Sequence, residues 1–416
     1  MTQPRFCLAL LAAVLLETAA PATRSRAAEE QRPAADAGQG RTVAIGDVHG
    51  SIDGLLAILE ASRLVGDEGR WIGGTATLVQ TGDYMDRGAN VRDVLDLLMR
   101  LERDAGRAGG RVHVLLGNHE AMNLLHEFQD VSPQTFAAFA DGRSEDRRKR
   151  AYREYIQAMK KRGADATAEP DWMAAHPAGF IEYTEALAPG GRYGRWLRSR
   201  KVAIAEGGTI FMHAGLPPDL EGSLNDINRT AERELNGWDR GKEALVRAGL
   251  VRPFFTLRET QAAAVAELER IAVLIKERRP AEEYVTQNYV EWLQAIALIG
   301  KSSLLDAKGP LWFRGLAEWP DEEGPKVAEI LKRFDAGRIV IGHTPVLPGA
   351  IKGRFGNRVF LIDTGMLATH YKGGRPSALE LTGSGVSAIY TTGTEVLVQT
   401  AVRLSAPMAP AAIGRN

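Results

Sequence analysis

Residues 42–50 read TVAIGDVHG, a short apolar run followed by a glycine, an aspartate and a histidine. The first four residues predict a buried strand, because they are apolar or β-branched. Asp47 and His49 come where that strand must end, and the turn there allows both side chains to face one point. Gly46 and Gly50 let the backbone come close to a bound ion. The segment therefore predicts a strand with ligands at its carboxyl end, although an aspartate in a surface turn would also explain this motif alone.

The same pattern recurs twice further along the chain. Residues 76–83 read ATLVQTGD and residues 112–118 read VHVLLGN, so that a polar residue again follows an apolar run and a glycine. Amphipathic helix patterns follow the first two strands, at 55–59 and 91–98. This β–α–β alternation predicts an α/β architecture, in which ligands gather at the carboxyl ends of the strands.

Composition narrows the class of protein. The chain has 416 residues, of which 44% are hydrophobic and 25% charged, as in ordinary globular domains. Basic and acidic residues both number 52, which argues against a basic surface for nucleic acid. The single cysteine, Cys7, excludes a disulfide framework and a zinc site built from cysteines.

The amino terminus has the pattern of a signal peptide. Arg5 precedes the apolar run FCLALLAAVLL at 6–16, which has the length of a signal-peptide core and is too short to span a bilayer. Small residues at 18–20 and 25–27 offer cleavage sites. We therefore expect residues 1–28 to be removed and the mature protein to be periplasmic or secreted, without a membrane segment. A membrane-anchored or buried helix is the alternative.

The rest of the chain is predicted to form one elaborated domain. A flexible lead-in at 29–40 precedes a domain over 41–404, and a loose tail follows at 405–416. Helical patterns at about 125–198 and 220–300 interrupt the strands and predict insertions. The remaining strands are expected at 202–205, 209–212, 338–341, 359–362, 388–391 and 396–402.

Two further motifs carry candidate functional residues. In GDYMDRG (82–88), Asp83 occupies the same position after its strand as Asp47, and Arg87 offers a planar fork suited to a phosphate oxygen. In GNHE (117–120), Asn118 can supply an amide oxygen, and a histidine follows that can act as a general acid near neutral pH. A plain Asp–Arg turn and a helix-capping asparagine are the structural alternatives.

Two single histidines also follow apolar strands. His213 lies in MHAG (212–215) and His343 in GHTP (342–345). Each alone is more often a structural residue. Five strand ends together, however, carry only oxygen and imidazole ligands, which suit two divalent ions such as Mn, Fe or Zn. A shared carboxylate would hold such ions about 3.5–4 Å apart.

These motifs resemble those of the calcineurin-like metallophosphoesterase superfamily, of the phosphoprotein-phosphatase type. GDVHG, GDYMDRG and GNHE match its GDxHG, GDxxDRG and GNHE, and MHAG and GHTP match its two later histidine motifs. MHAGLPP, GPLWFR and DTG resemble most the Shewanella-like protein phosphatases. GHTP lacks the second histidine of branches with GHxH, which favours the phosphatase branch. The resemblance implies a central β-sandwich of mixed sheets flanked by helices, and the two insertions are expected to form a helical cap over the metal cleft.

The resemblance also implies roles for individual residues. Asp47 and His49 would bind metal 1, and Asp83 would bridge both ions. His119 would protonate the leaving oxygen, and Asp86 would orient it. The remaining implied roles are metal 2 binding by Asn118, His213 and His343, and phosphate binding by Arg87.

A second phosphate-binding arginine is expected in this family. We favour Arg314 in GPLWFR, with packing on Trp312 as the alternative. Asp363 of the DTG segment is interpreted either as a support for His343 or as part of a simple turn.

The expected function is that of an exported, dinuclear metal-dependent phosphomonoester hydrolase, with a protein phosphatase favoured. By the family mechanism a metal-bridging hydroxide would attack phosphorus. The substrate would be a phosphorylated protein or a small phosphomonoester, with aryl phosphates tolerated and no nucleic-acid partner. The sequence does not decide between phosphotyrosine and phosphoserine or phosphothreonine. The alternatives are a nucleotide or dinucleoside-polyphosphate hydrolase and a non-catalytic metal-holding binding protein. The sequence does not determine the metals or the oligomeric state.

Overall fold

The apolar segment before Gly46 and Asp47 forms strand β1 (Thr42–Ile45) in a computed structural model that describes residues 40–399. The predicted signal peptide, nearly all of the lead-in and the C-terminal tail lie outside the described residues. No helix within 40–399 is both long enough and apolar enough to cross a membrane.

The described strands form two mixed sheets. The first has the order β11-β10-β9-β1-β2-β3, with β1, β2 and β3 parallel to one another. The second has the order β4-β5-β6-β8-β7, with β5, β6 and β8 parallel. Their bounds after β1 are β2 (Thr77–Gln80), β3 (Arg111–Val114), β4 (Ala203–Glu206), β5 (Thr209–Met212), β6 (Arg338–Ile341), β7 (Lys352–Arg354), β8 (Val359–Leu361), β9 (Ser377–Thr382), β10 (Gly385–Tyr390) and β11 (Gly393–Gln399).

The two sheets pack face to face. Successive side chains of a strand point to opposite faces, so each sheet has one face toward the other sheet and one toward the helices. Phe211 and Phe360 of the second sheet belong to one buried cluster together with Ala44 and Val79 of the first. The alternate residues face the helices and join the larger outer core; they include Val43, Ile45, Leu78, Ile210, Met212, Ile339, Ile341, Val359 and Leu361. The predicted β-sandwich of mixed sheets flanked by helices is therefore confirmed.

Helices cover the sandwich and fill both long interruptions. Those near the first sheet are α1 (Ile52–Ala61), α2 (Val91–Arg107) and α3 (Asn118–Leu124). The first interruption contains α4 (Pro133–Phe139), α5 (Ser144–Arg162), α6 (Glu169–Ala175), α7 (Phe180–Leu187) and α8 (Arg192–Arg198). The second contains α9 (Leu224–Arg247), α10 (Leu257–Lys276) and α11 (Gln287–Ala297), and α12 (Gly315–Glu318) and α13 (Gly324–Arg333) precede β6.

Local sequence explains where the long inserted helices begin. α9 starts at a capping box in which Ser223 and Asp226 bond each other's backbone N–H groups, and α10 starts at the same motif formed by Thr256 and Glu259. That the two insertions cap the metal cleft stays a prediction.

Two strands were not predicted from sequence. β7 reads KGR and has no apolar run to mark it. β9 reads SALELT and follows a segment rich in glycine; it begins the antiparallel β9–β10–β11 meander and pairs with β1 on its other side. The strand expected at 396–402 begins earlier, at Gly393, because the turn after β10 is only two residues long.

Six parallel strands, three from each sheet, direct their carboxyl ends to the same edge of the sandwich. The ends of β5 and β6 are joined by a hydrogen bond in which Gly342 N–H donates to the carbonyl of His213 at 2.8 Å. A Cβ on Gly46, after β1, would lie 2.8 Å from the carbonyl carbon of Ile362, after β8. The close contact of these strand ends across the sandwich places their polar side chains in one site.

Candidate metal and phosphate site

The first two motifs form interlocked loops. Val48 and His49 donate their backbone N–H groups to the carbonyl of Asp83, at 2.9 and 3.0 Å, and Gly88 N–H donates back to the carbonyl of His49 at 3.1 Å. Non-glycine residues in the left-handed backbone region are uncommon and concentrate at functional sites. Five of the predicted site residues adopt it: His49, Asp83, Asp86, Arg87 and His343.

The predicted ligands of metal 1 meet below these loops. His49 Nε2 lies 3.9 Å from Asp47 Oδ2 and 3.8 Å from Asp83 Oδ2, and all three residues are buried. His49 Nδ1 lies 2.9 Å from the carbonyl of Met85, which holds Nε2 toward the carboxylates. Burial lowers the pKa of His49 to about 3, so this imidazole is in the neutral form that binds metals.

The predicted ligands of metal 2 surround His213. Its Nε2 lies 2.8 Å from Asn118 Oδ1, 3.2 Å from His343 Nδ1 and 3.2 Å from Asp83 Oδ2. Its other ring nitrogen is held by the carbonyl of Thr81 at 3.1 Å. Burial and the neighbouring His213 lower the pKa of His343 to about 2, so it too is neutral.

Asp83 belongs to both groups. Its Oδ2 faces His49 and His213, while Oδ1 accepts the backbone N–H of His119 at 3.0 Å. Burial and the nearby carboxylates of Asp363 and Asp83 raise the pKa of Asp47 well above its usual value. Buried carboxylates that oppose each other's charge, combined with neutral imidazoles and an amide oxygen, fit a pair of divalent cations. The structure thus brings the six predicted ligands together, and their assignment to two individual ions stays a prediction.

His119 lies next to these donor groups and belongs to a separate series of hydrogen-bonded side chains. Its Nδ1 lies 2.7 Å from Asp86 Oδ2, and Asp86 Oδ1 accepts from Asn123 Nδ2 at 2.8 Å. Tyr183 in α7 donates to Asn123 Oδ1 at 2.6 Å. Burial alone would lower the pKa of His119, but the carboxylates of Asp83 and Asp86 outweigh it and raise the pKa to about 9.

Arg87 is half-buried and lies between His49 and His119. Its Nη1 is 2.7 Å from His49 Nε2 and its Nη2 is 3.0 Å from His119 Nε2. Nη1 also donates to the hydroxyl of Tyr371. The guanidinium is thereby placed next to the predicted ligands and the predicted acid, as a phosphate-binding group must be.

Arg314 contacts the backbone of His343, a predicted ligand of metal 2. Its Nη1 donates to the carbonyl of His343 at 3.1 Å and to Thr344 Oγ1 at 2.9 Å. The structure therefore brings Arg314 to the GHTP loop, and phosphate binding by this residue stays a prediction.

Sequence reasoning missed Glu120, which holds the loop that carries Asp83. Glu120 Oε2 accepts the backbone N–H groups of Asp83 at 2.7 Å and Gly117 at 2.8 Å. Oε1 accepts those of Tyr84 at 3.0 Å and Met85 at 2.9 Å. Its place as a charged residue inside the GNHE motif was the available signal. Nothing in the sequence marked Tyr183 or Tyr371, which reach the site from distant segments.

Comparison with known proteins places the chain among phosphoesterases. The family profile described as calcineurin-like phosphoesterase matches residues 40–347, which include all the motifs from GDVHG to GHTP. Shewanella-like protein phosphatase 1 of Plasmodium berghei is 25% identical over 352 residues, which cover 84% of this chain and 74% of that protein.

Two other similarities bear on the fold and on the choice of substrate. The crystal structure of the cold-active protein-tyrosine phosphatase of a psychrophilic Shewanella species has a TM-score of 0.55 and 23% identity, and covers 86% of this chain and 81% of that one. The symmetrical bis(5'-nucleosyl)-tetraphosphatase of Neisseria gonorrhoeae is 28% identical over 231 residues, 51% of this chain and 63% of that protein. The resemblance to Shewanella-like phosphatases predicted from the motifs is confirmed.

Proposed function

Since the chain belongs to the calcineurin-like phosphoesterase family and is a metal-dependent phosphatase, we propose that it hydrolyses phosphomonoesters on proteins. The observation that carries the proposal is the His119–Asp86 pair, 2.7 Å apart, directly beside Arg87 and the ligand groups. A protein that only held metals would not need an oriented acid, His119, and the guanidinium of Arg87 next to the metal ligands.

Two ions would be held by the donor groups described above. Asp47, His49 and Asp83 would hold one ion, and the other would be held by Asp83, Asn118, His213 and His343. Such ions polarise phosphoryl oxygens and make water more acidic.

The chain's own residues would bind the substrate and move the proton. Arg87 offers two guanidinium nitrogens to the phosphoryl oxygens and neutralises part of their charge. His119, kept protonated by Asp83 and Asp86, donates a proton to the leaving oxygen. Asp86 fixes the ring so that Nε2 faces the site, and Asn123 and Tyr183 hold Asp86 in turn.

For the substrate we favour phosphoproteins, with phosphotyrosine ahead of phosphoserine and phosphothreonine. Support comes from the Plasmodium relative, which is a protein phosphatase, and from the Shewanella enzyme, which is a protein-tyrosine phosphatase. An aryl leaving group also places the smallest demand on the acid, because phenols are more acidic than alcohols.

A dinucleoside-polyphosphate hydrolase is the second candidate. The likeness to the Neisseria gonorrhoeae enzyme favours it, but that likeness covers only half of this chain.

A substrate panel separates these candidates. Purified protein with Mn²⁺ should release phosphate from p-nitrophenyl phosphate and from phosphotyrosine peptides, and more slowly from phosphoserine and phosphothreonine peptides. Diadenosine tetraphosphate, assayed in parallel, should be a poor substrate by kcat/KM. The Asp83→Asn variant, which lacks the carboxylate that faces both ligand groups, serves as the control for a contaminating phosphatase. A preference for diadenosine tetraphosphate over every peptide would reverse the assignment.

The last part of the proposal is that the protein is exported after cleavage of a signal peptide. It is supported by Arg5 and the apolar run at 6–16, which lie outside the described residues. N-terminal sequencing of protein from the native host's envelope fraction should give a start between about residues 21 and 29. An intact Met1 on cytoplasmic protein would contradict export.

A further inference from the structure

Of the six parallel strands that end at the site edge, five supply the predicted metal ligands. The sixth, β8, is followed by Asp363-Thr364-Gly365. Asp363 comes two residues after its strand, the same offset as Asp47 after β1 and His343 after β6. Topology therefore brings a further carboxylate to the edge where the ions are expected.

The Asp363 carboxylate is buried with one oxygen unused. Its residue has no exposed surface. Oδ1 accepts the backbone N–H of Gly365 at 3.0 Å, which makes the turn considered from the sequence. Oδ2 has no hydrogen-bond partner among residues 40–399. A buried carboxylate oxygen without a partner is unfavourable, so something beyond these side chains must compensate it.

Asp363 lies against Asp47. A Cβ on Gly46 would be 3.0 Å from the backbone nitrogen of Asp363, so the two strand ends are in direct contact. Each of the two carboxyl groups acts on the pKa of the other. The His343 ring makes no hydrogen bond to Asp363 within residues 40–399, and the His343 backbone N–H donates to Asp47 Oδ1 at 3.0 Å. The Asp363 carboxyl group thus lies beside Asp47, a predicted ligand of metal 1.

We propose that Asp363 is a further carboxylate of the metal 1 site, and that its charge strengthens binding of the ion held by Asp47 and His49. The inference rests on the dinuclear site of the proposed function. Two adjacent buried carboxylates repel each other, and a divalent cation beside them removes that repulsion and satisfies the unused oxygen. Carboxylates that support the primary ligands of a metal typically contribute about 10–100-fold to its affinity.

Asp363→Asn removes the charge and keeps the turn, because the asparagine oxygen can still accept from Gly365 N–H. Asp306→Asn is a matched control, since Asp306 Oδ1 accepts the N–H of Lys308 two residues later at 2.8 Å in the same kind of turn. Metal-free proteins are titrated with Mn²⁺ by equilibrium dialysis, and bound manganese is counted by elemental analysis. Electron paramagnetic resonance then distinguishes two magnetically coupled Mn²⁺ ions from a single bound Mn²⁺ ion.

We expect wild type and Asp306→Asn to bind two Mn²⁺ ions per chain. In Asp363→Asn one of the two sites should weaken by about 10–100-fold, and the spectrum at limiting Mn²⁺ should be that of a single ion. Two sites of unchanged affinity in Asp363→Asn would overturn this inference alone. No metal binding by wild type would overturn the proposed function itself.

Unfolding of the metal-free proteins separates a metal-binding role from a structural one. Metal-free Asp363→Asn should unfold at a higher temperature than metal-free wild type, because an uncompensated buried charge has been removed. A purely structural Asp363 would give the opposite order.

A measurement on wild type covers the case in which the variant does not fold. Anomalous scattering from Mn²⁺-soaked crystals should show the Asp363 carboxylate joined to the ion at Asp47 and His49 directly or through one water. A carboxylate turned away from that ion would overturn the inference.

Discussion

At the scale of single residues, His119 and Arg87 lie side by side at the site, and we expect them to have different roles. His119 is held by Asp86 at 2.7 Å and is not among the residues assigned to either ion. Arg87 reaches both His49 and His119 and would contact the phosphoryl group before and during reaction. Substitution of His119 should therefore affect turnover, while substitution of Arg87 should also affect binding.

The first prediction concerns His119→Asn. Turnover of an alkyl phosphate should fall by about 10²–10⁴-fold, because the leaving alkoxide loses its proton donor. The loss should be smaller for p-nitrophenyl phosphate, whose leaving group needs little protonation. Steady-state kinetics on both substrates, with bound metal measured alongside, checks this. Equal losses on the two substrates with metals retained would mean that His119 is not the leaving-group acid.

The second prediction concerns the pH profile of Asp86→Asn. The Asp86 carboxylate is one of the groups that raise the pKa of His119 to about 9, so its removal should lower that pKa. The acid then deprotonates at lower pH, and the alkaline fall in kcat should begin at lower pH than in wild type. The profile is measured with an alkyl phosphate, and His119→Asn, which lacks this titration, is the reference. An alkaline limb that does not move would argue against Asp86 as the orienting group.

At the scale of elements, strand ends and the start of α3 fix the ligand loops. Glu120 receives four backbone N–H groups from two segments, and Gly117 packs directly on Asp83. The first insertion also reaches the site, because Tyr183 of α7 holds Asn123 and through it Asp86. The insertion therefore supports the acid as well as adding to the core.

Glu120→Gln is the third prediction. In glutamine an NH2 group replaces one carboxylate oxygen and cannot accept the two N–H groups that this oxygen now receives. At about 1–3 kcal/mol for each unsatisfied buried donor, the free energy of unfolding should fall by roughly 2–6 kcal/mol. Urea unfolding of the metal-free protein measures this. Unchanged stability would show that the loop at Asp83 does not depend on Glu120.

The fourth prediction is that Gly117→Ala damages the site. A Cβ there would overlap with Asp83 and lie 2.8 Å from Glu120 Oε2. We expect a loss of about 1–3 kcal/mol of stability and weaker metal binding, since Asp83 must shift. Gly106 in α2 is the control, because nothing lies within 4 Å of its added Cβ. Gly106→Ala should stabilise by roughly 0.5–1 kcal/mol and leave metal binding unchanged. Equal metal content in both variants would contradict the close packing at Gly117.

At the scale of the whole molecule, binding of the two metal ions should be coupled to folding. The two sheets contribute three strand ends each to a site that concentrates buried carboxylates. The native fold creates this site and the unfolded chain does not, so the ions should stabilise the native state.

The fifth prediction follows from that coupling. The melting temperature should rise with free Mn²⁺, by an amount that corresponds to about 2.7 kcal/mol at a concentration 100 times the Kd of one site. A chelator should reverse the rise. Asp83→Asn should largely abolish it, because that carboxylate faces both ligand groups. A melting temperature independent of Mn²⁺ would contradict a metal centre in the native protein.

The sequence by itself determined the strands that precede the predicted ligands, and it supplied the prediction of six ligand positions. Four apolar runs end in glycine and a polar residue and a fifth ends directly in His213; these are local features, and all five mark the same edge of an α/β fold. The same short motifs contain His119, Asp86 and Arg87, and these residues were therefore predicted as well. β7 and β9 were not, since one is polar and the other follows a glycine-rich segment.

Only the tertiary structure decided which distant groups act on the site. Tyr183 and Tyr371 are 60 residues or more from the groups they contact, and no local pattern specifies such contacts. Asp363 forms the turn that was one of the two sequence interpretations, and the contact between the ends of β8 and β1 also places it beside Asp47, which the sequence did not indicate. The physical reason is that ligand type follows from local side-chain chemistry, whereas the partner of a buried charge follows from how two sheets pack.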